Sequence, residues 1–194
     1  MYDFIIKNGL ILTGDNSDAY QADIGIKDDK ISKIGNLNQE DAKKLIDAKN
    51  KIVSPGFIDV HAHDEIGVLR DGVVKAKLSQ GITTVVNGNC GFGFFPINPK
   101  TRQLLLDYNS SLFDLENIQL NWYSLKGYTE QLNKRGLSFN VANLVGHGAL
   151  RISVMGYLRK YDPTSYQCCT WIKDNDRFTC TKGNYGRYVS SNRQ

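Results

Sequence analysis

The sequence has no apolar run approaching the roughly 20 residues that a membrane-spanning helix needs; its hydrophobic stretches are short. It also lacks any cluster of basic residues. The net charge of +4 is spread along the chain, whereas a nucleic-acid surface gathers Lys and Arg on one face. Neither a membrane nor a nucleic acid is an expected partner, and no protein partner is implied. The start is not that of a signal peptide. Met1-Tyr2-Asp3-Phe4-Ile5-Ile6-Lys7 goes straight into an alternating pattern, without a basic start, an apolar stretch or a small-residue cleavage site. The expected location is cytoplasmic, where thiols stay reduced. The four cysteines are therefore read as ligands or core residues before disulfides. A core is not lacking: 41% of the residues are hydrophobic, too many for a disordered chain.

Residues 1–54 read as short strands and turns. Ile24 and Ile26 flank Gly25, Asp28-Asp29-Lys30 makes a turn, and a second arm runs from Ile31 to Ile34. Leu45-Ile46 is a further short run. The expectation is a small antiparallel β unit. The alternation slips between Ile31 and Ile34, so its register is not fixed by pattern.

At Pro55-Gly56 the texture changes. Phe57-Ile58-Asp59-Val60 has the look of a buried strand. Helical spacing follows from Asp71 to Ser79, with Gly81 as a stop. Ile82-Thr83-Thr84-Val85-Val86 is β-branched throughout and reads as the next strand. A Gly-rich loop covers Asn87 to Gly93. Leu125, Tyr128 and Leu132 share a helical face that Gly136 ends, and Phe139 to Val145 is a third strand. Strand, helix, strand, helix, strand is the signature of βαβ units and a parallel sheet. Residues 55–159 are thus expected to be an α/β unit.

Residues 160–194 contain no Leu and no Ala, and Ile172 and Val189 are the segment's sole aliphatics. Three of the four cysteines, Cys168, Cys169 and Cys180, fall here. A parallel α/β fold does not shed its helix formers so abruptly. The tail is expected to be the product of a frameshift or altered reading, or disordered; a genuine irregular extension is the alternative.

The sharpest chemical signal is His61-Ala62-His63 at a strand end. Residues i and i+2 of a strand share a face, about 6.5–7 Å apart along the backbone, so both imidazoles can reach one metal ion. Two loop histidines meeting by chance would give the same pattern. Cys90 adds weight, because it follows the next strand in Asn87-Gly88-Asn89-Cys90-Gly91. That places it at the same sheet end, and thiolate with imidazole suits zinc. A lone Cys is more often a small buried hydrophobe, but flanking glycines favour a loop near a site. Asp59 and Asp64 bracket the histidines; either could orient a ring through its second nitrogen, and capping or a local bond weighs equally for Asp59. His147 closes the third strand; contact with substrate and plain backbone satisfaction weigh equally there.

These residues resemble a known family. Gly56 through Asp64 resembles the first barrel strand of amidohydrolases. Gln80 through Gly91 and Asn143 through Arg151 resemble the N-acyl-D-amino-acid deacylases, the D-aminoacylases, as do Tyr2 to Gly14 and Ala22 to Ile26. The resemblance runs from residue 2 to about 164. It implies a (β/α)8 barrel with a small β-sandwich built from both chain ends, here present as an incomplete barrel preceded by the sandwich piece. It implies Zn2+ as cofactor, an N-acyl amino acid as small-molecule substrate, and hydrolysis of its amide to a carboxylate and a free D-amino acid. Cys90 would be a zinc ligand, and His61 and His63 would line a second metal position sharing it. His147 and Asp64 would meet substrate or stand behind the ligands.

Two later histidines and a late general acid/base aspartate that the family uses have no counterpart, since His61, His63 and His147 are the only histidines. A barrel takes about 250 residues, and this chain offers about three βα units. The expectation is a truncated chain, inactive alone, with an exposed strand edge. The alternatives are a non-catalytic gene product, or a cyclic-amide hydrolase of the same superfamily. The latter usually bridges its metals with a carboxylated lysine, and Cys90 argues against it. For the tail, sequencing DNA from the codon for Met155 to several hundred bases past the stop is the check. Another frame restoring a Leu- and Ala-rich βα pattern with two histidines and a late aspartate is expected; its absence would mean a genuine short product.

Overall fold

The computed structural model describes residues 1–156 and 190–191, and for residues 71–74 and 190–191 the backbone alone. All but these two residues of the 160–194 tail therefore lie outside the described residues. The chain divides into two compact units, Met1–Gly56 and Phe57–Gln194.

The first unit is one five-stranded sheet. Strands β1 (Tyr2–Ile11), β2 (Tyr20–Lys27), β3 (Lys30–Gly35) and β4 (Ala42–Asp47) lie in the order β3-β2-β1-β4, and β5 (Ile52–Val53) extends the β4 side of β1. Asp28 and Asp29, both at positive φ, make the two-residue turn between β2 and β3. Asp tolerates that conformation better than most residues. The slip in alternation is real. Gly25 pairs with Lys33 and Ile26 with Ile31, so Ser32 bulges out. The antiparallel expectation needs correction, because β4 and β5 both run parallel to β1. The chain between β3 and β4 crosses back instead of turning tightly. Among the described residues of this unit there is one sheet, without the second layer of a sandwich.

Asp23 fastens that crossing. Its buried carboxylate accepts hydrogen bonds from Asn8 N at 2.9 Å, Lys7 Nζ at 3.0 Å and Leu37 N at 3.0 Å. Burial pushes its pKa up, but these donors together hold it below the ordinary 3.8.

In the second unit, β6 (Phe57–Asp59), β7 (Ile82–Asn87) and β8 (Asn140–Asn143) form a parallel sheet in that order, and β9 (Ser190–Ser191) pairs antiparallel with β8. Helices α1 (Asp71–Ser79), α2 (Arg102–Asn109), α3 (Leu125–Arg135) and α4 (His147–Met155) complete it. The expected helix face holds: Leu125, Tyr128 and Leu132 are buried, Ser124 Oγ caps the start by accepting from Gly127 N, and Gly136 at φ 75° ends it.

Two expectations fail. Strand β6 is not buried, with Phe57 62%, Ile58 60% and Val60 68% exposed. It is an edge, paired only with β7 among the described residues, so its apolar run has nothing to lie against. The third strand is also shorter than Phe139 to Val145. It stops at Asn143, and His147 opens α4 instead of closing a strand.

The core draws heavily on residues 92–122, where sequence pattern marked no element. Phe94, Phe95, Ile97, Leu105, Phe113, Leu120 and Trp122 are all buried there. Phe94 and Phe113 meet edge to face at 4.8 Å, and Trp122 Nε1 donates to Phe94 O at 2.9 Å.

The Asp23 cluster makes a pH prediction. A carboxylate with a depressed folded pKa contributes stability that is present above the unfolded value of 3.8 and lost as the pH falls through the folded value. Asp23→Ala leaves two backbone N–H groups without their acceptor and the Lys7 ammonium with Asn38 Oδ1 alone, which costs about 3 kcal/mol. Urea unfolding of the full chain at neutral pH should show that loss, and acidification should narrow the gap between variant and parent.

Candidate metal centre

The first ligands come from the chain just beyond β6. Ala62 N donates to Val86 O at 3.0 Å, so the backbone stays against β7 past the end of the strand. His61 and His63 stand on either side of that contact, their ring centroids 5.3 Å apart. The third comes from the turn after β7. Gly88 has φ 84° and Cys90 φ 56°. A non-glycine residue in the left-handed region costs about 1–2 kcal/mol, and such strain gathers at functional sites. Here it turns Cys90 Sγ to within 3.0 Å of His61 Nε2.

One ligand atom from each of His61, His63 and Cys90 lies within 4.8 Å of the others. Zinc bonds of about 2.0–2.3 Å put tetrahedral ligand atoms about 3.3–3.7 Å apart. The cluster brackets that range, so small side-chain rotations suffice. His63 Nδ1 is buried with no hydrogen-bond partner, as expected of an imidazole with a nitrogen reserved. Burial, then the neighbouring His61, hold the His63 pKa below 6.5, which favours the neutral ring that metals bind. His61 and Cys90 are exposed, leaving the centre open on one side. The donor set fits zinc.

The two bracketing aspartates do not orient the rings. Asp59 accepts from the backbone N of His61 at 3.2 Å and from Lys77 Nζ at 2.5 Å. Its pKa is lowered chiefly by that Lys77 hydrogen bond. Asp64 Oδ2 forms an ion pair with Lys77 Nζ at 3.1 Å. Asp64 also donates its backbone N–H to Asn87 Oδ1 at 3.1 Å. Lys77 on α1 therefore draws both carboxylates away from the imidazoles.

His147 is exposed at the start of α4 and is not among the converging ligand atoms. Its flanking glycines explain its motif. A Cβ on Gly146 would sit 2.0 Å from Phe92 O, and one on Gly148 2.8 Å from Gly91 O. One on Gly88 would sit 1.9 Å from Leu144 O. The cysteine turn and the segment entering α4 thus meet backbone to backbone. Leu144 N donates to Asn87 O at 2.8 Å across the same junction.

The sequence profile of the Amidohydrolase family matches residues 44–175. The chain belongs to the amidohydrolase family. It is 35% identical over 162 residues to the D-aminoacylase of Alcaligenes xylosoxydans xylosoxydans, covering 82% of this chain and 32% of that protein. The N-acyl-D-glutamate deacylase of the same organism is 35% identical over 156 residues, covering 79% and 30%. A D-aminoacylase structure concerned with a binuclear metal centre superposes with a TM-score of 0.74 at 34% identity, covering 90% of this chain and 36% of that one. The N-acyl-D-glutamate deacylase of Bordetella bronchiseptica, solved with zinc and a phosphonate mimic of the tetrahedral intermediate, gives 0.70 at 34% identity, covering 89% and 35%. The chain spans about a third of the length of these relatives.

Three residues at this amidohydrolase site escaped the sequence reading: Lys77, Asn87 and Glu65. Asn87 stands inside one of the family motifs and Glu65 directly follows another, and adjacency to the ligands was their only signal. Glu65 is fully buried, and burial pushes its carboxyl up to about 7.

Cys90→Ser should abolish tight zinc binding by the chain. Equilibrium dialysis followed by elemental analysis checks it, and unchanged zinc content would remove Cys90 from the ligand set.

Proposed function

We propose that this chain is the N-terminal third of a zinc-dependent deacylase that cleaves the amide bond of N-acyl-D-amino acids, and that it is catalytically incomplete alone. The observation that carries the reading is the convergence of His61, His63 and Cys90 at the carboxyl ends of β6 and β7. Active sites of parallel βα folds gather at that end. The proposed organisation is a β-sandwich piece over residues 1–54, the first units of an amidohydrolase barrel over 55–159, and a tail beyond.

Bound zinc would supply Lewis acidity toward the amide carbonyl and a more acidic water. The chain's own residues hold and aim it. His61 and Cys90 meet at 3.0 Å across the gap between two strand ends. Lys77 keeps Asp59 and Asp64 away from the rings. His63 packs edge-on against Phe92 and Phe113 at 5.9 and 6.2 Å, which fixes its plane and keeps water from that side. His147 is proposed to face substrate or support the ligands, and Asp64, held in its ion pair with Lys77, to face substrate. No described residue at the centre is proposed as general acid or base.

The relatives act on D-configured substrates by their names, D-aminoacylase and N-acyl-D-glutamate deacylase, and this supports the same substrate class for the whole protein of which this chain is the match. The purified chain with zinc should not hydrolyse N-acetyl-D-amino acids above a zinc blank. Saturable, D-selective hydrolysis lost in Cys90→Ser would instead make the chain a complete enzyme. Residues 2–159 grafted into D-aminoacylase in place of its matching third should give D-selective hydrolysis. A folded, zinc-loaded graft that prefers L-substrates would contradict the substrate class.

A further inference from the structure

We propose that Glu65 is a positioning residue of the metal centre, fixing the Cys90 turn against the His61–His63 segment through the hydrogen bond from Gly88 N to its buried carboxylate. The proposal rests on the ligand reading above and adds the device that holds the ligands in register.

Glu65 is 0% exposed among Ala62, Ile66 and Val68, all core residues. An apolar side chain would suit such surroundings, and a carboxylate there requires a reason. Its Oε1 accepts from Gly88 N at 2.7 Å, a buried bond. Next to it, Asp64 N donates to Asn87 Oδ1 at 3.1 Å. These two rungs join residues 64–65 to 87–88. His63 precedes the first pair by one residue, and Cys90 follows the second by two. Helix α3 holds Glu65 from behind, since Tyr128 Oη donates to its backbone O at 2.8 Å. The Cys90 turn runs through left-handed residues at 88, 90 and 91. Such a turn needs an external anchor to keep one conformation, and the Gly88 N–H is the donor that Glu65 catches. Two further atoms of the same cluster, Glu65 Oε2 and Asn87 Nδ2, are buried without partners.

The role calls for an acceptor at Oε1, not for a charge. Glu65→Gln keeps that acceptor and the volume; Glu65→Leu keeps only the volume. The full chain, freed of metal, is titrated with Co2+ and then competed with Zn2+. The near-ultraviolet thiolate-to-cobalt band reports Cys90 ligation, and far-ultraviolet circular dichroism reports the fold. Glu65→Leu should bind zinc about 10–100-fold more weakly, with a diminished or shifted cobalt band and unchanged dichroism. Glu65→Gln should restore both affinity and band. A Leu variant that matches the parent overturns the proposal, and so does a Gln variant as weak as Leu. If the Leu variant does not fold, amide hydrogen exchange on the parent chain decides: a slowed Gly88 N–H supports the proposal, and exchange at the rate of an open loop overturns it. Cys90→Ser in the same titration separates the two levels. If it loses the band while Glu65→Leu loses nothing, the ligands stand and the positioning role falls. If it keeps the band, the ligand reading falls and the positioning proposal with it.

Discussion

Backbone meets backbone where the cysteine turn passes the segment leading into α4, and the candidate site depends on that contact. Leu144 O would lie 1.9 Å from a Cβ on Gly88, and Phe92 O 2.0 Å from one on Gly146. No side chain larger than hydrogen fits at either place without moving the main chain. The close approach lets β7 and β8 deliver their following loops to one spot. The left-handed turn that presents Cys90 beside His61 starts at this junction. Glycine-rich motifs that look like mere flexibility in the sequence are here a packing requirement.

The same architecture leaves apolar strand residues in water. In the first unit Ile31, Leu45 and Ile52 are each more than 60% exposed, and in the second so are Phe57 and Val60. Strand residues of this kind normally lie under another layer or beside another strand. Among the described residues no further layer covers these strands, and the chain spans about a third of its relatives' length.

Much of this was legible beforehand where local chemistry decides the outcome. The β-branched run at Ile82–Val86, the face of Leu125, Tyr128 and Leu132, and the glycine stops at 81 and 136 all became the expected elements. Spacing alone put His61 and His63 on one side of a strand end, and the strand order brought Cys90 to them. What was not legible depended on distant partners. Pairing of β4 alongside β1, parallel instead of antiparallel, is set by a crossover that no short window contains. Helix α4 was hidden because Gly148 and β-branched Ile152 and Val154 are poor helix formers, held helical by packing of Ala149, Leu150 and Ile152. The local bond of Asp59 to His61 N matches an alternative the sequence offered, but the ion pairs of Asp59 and Asp64 could not be foreseen, since Lys77 lies 13 or more residues on. Burial of β6 was expected from its composition, but among the described residues β7 alone pairs with it.

The central claim is that His61, His63 and Cys90 form one zinc centre. X-ray absorption at the zinc edge on the chain loaded with a single equivalent of Zn2+ tests it most directly. The account predicts one sulfur at about 2.3 Å together with nitrogen or oxygen neighbours at about 2.0–2.1 Å, including imidazole scattering. A shell with no sulfur, or with two or more, would contradict it, the first removing Cys90 from the site and the second moving the metal to the other cysteines.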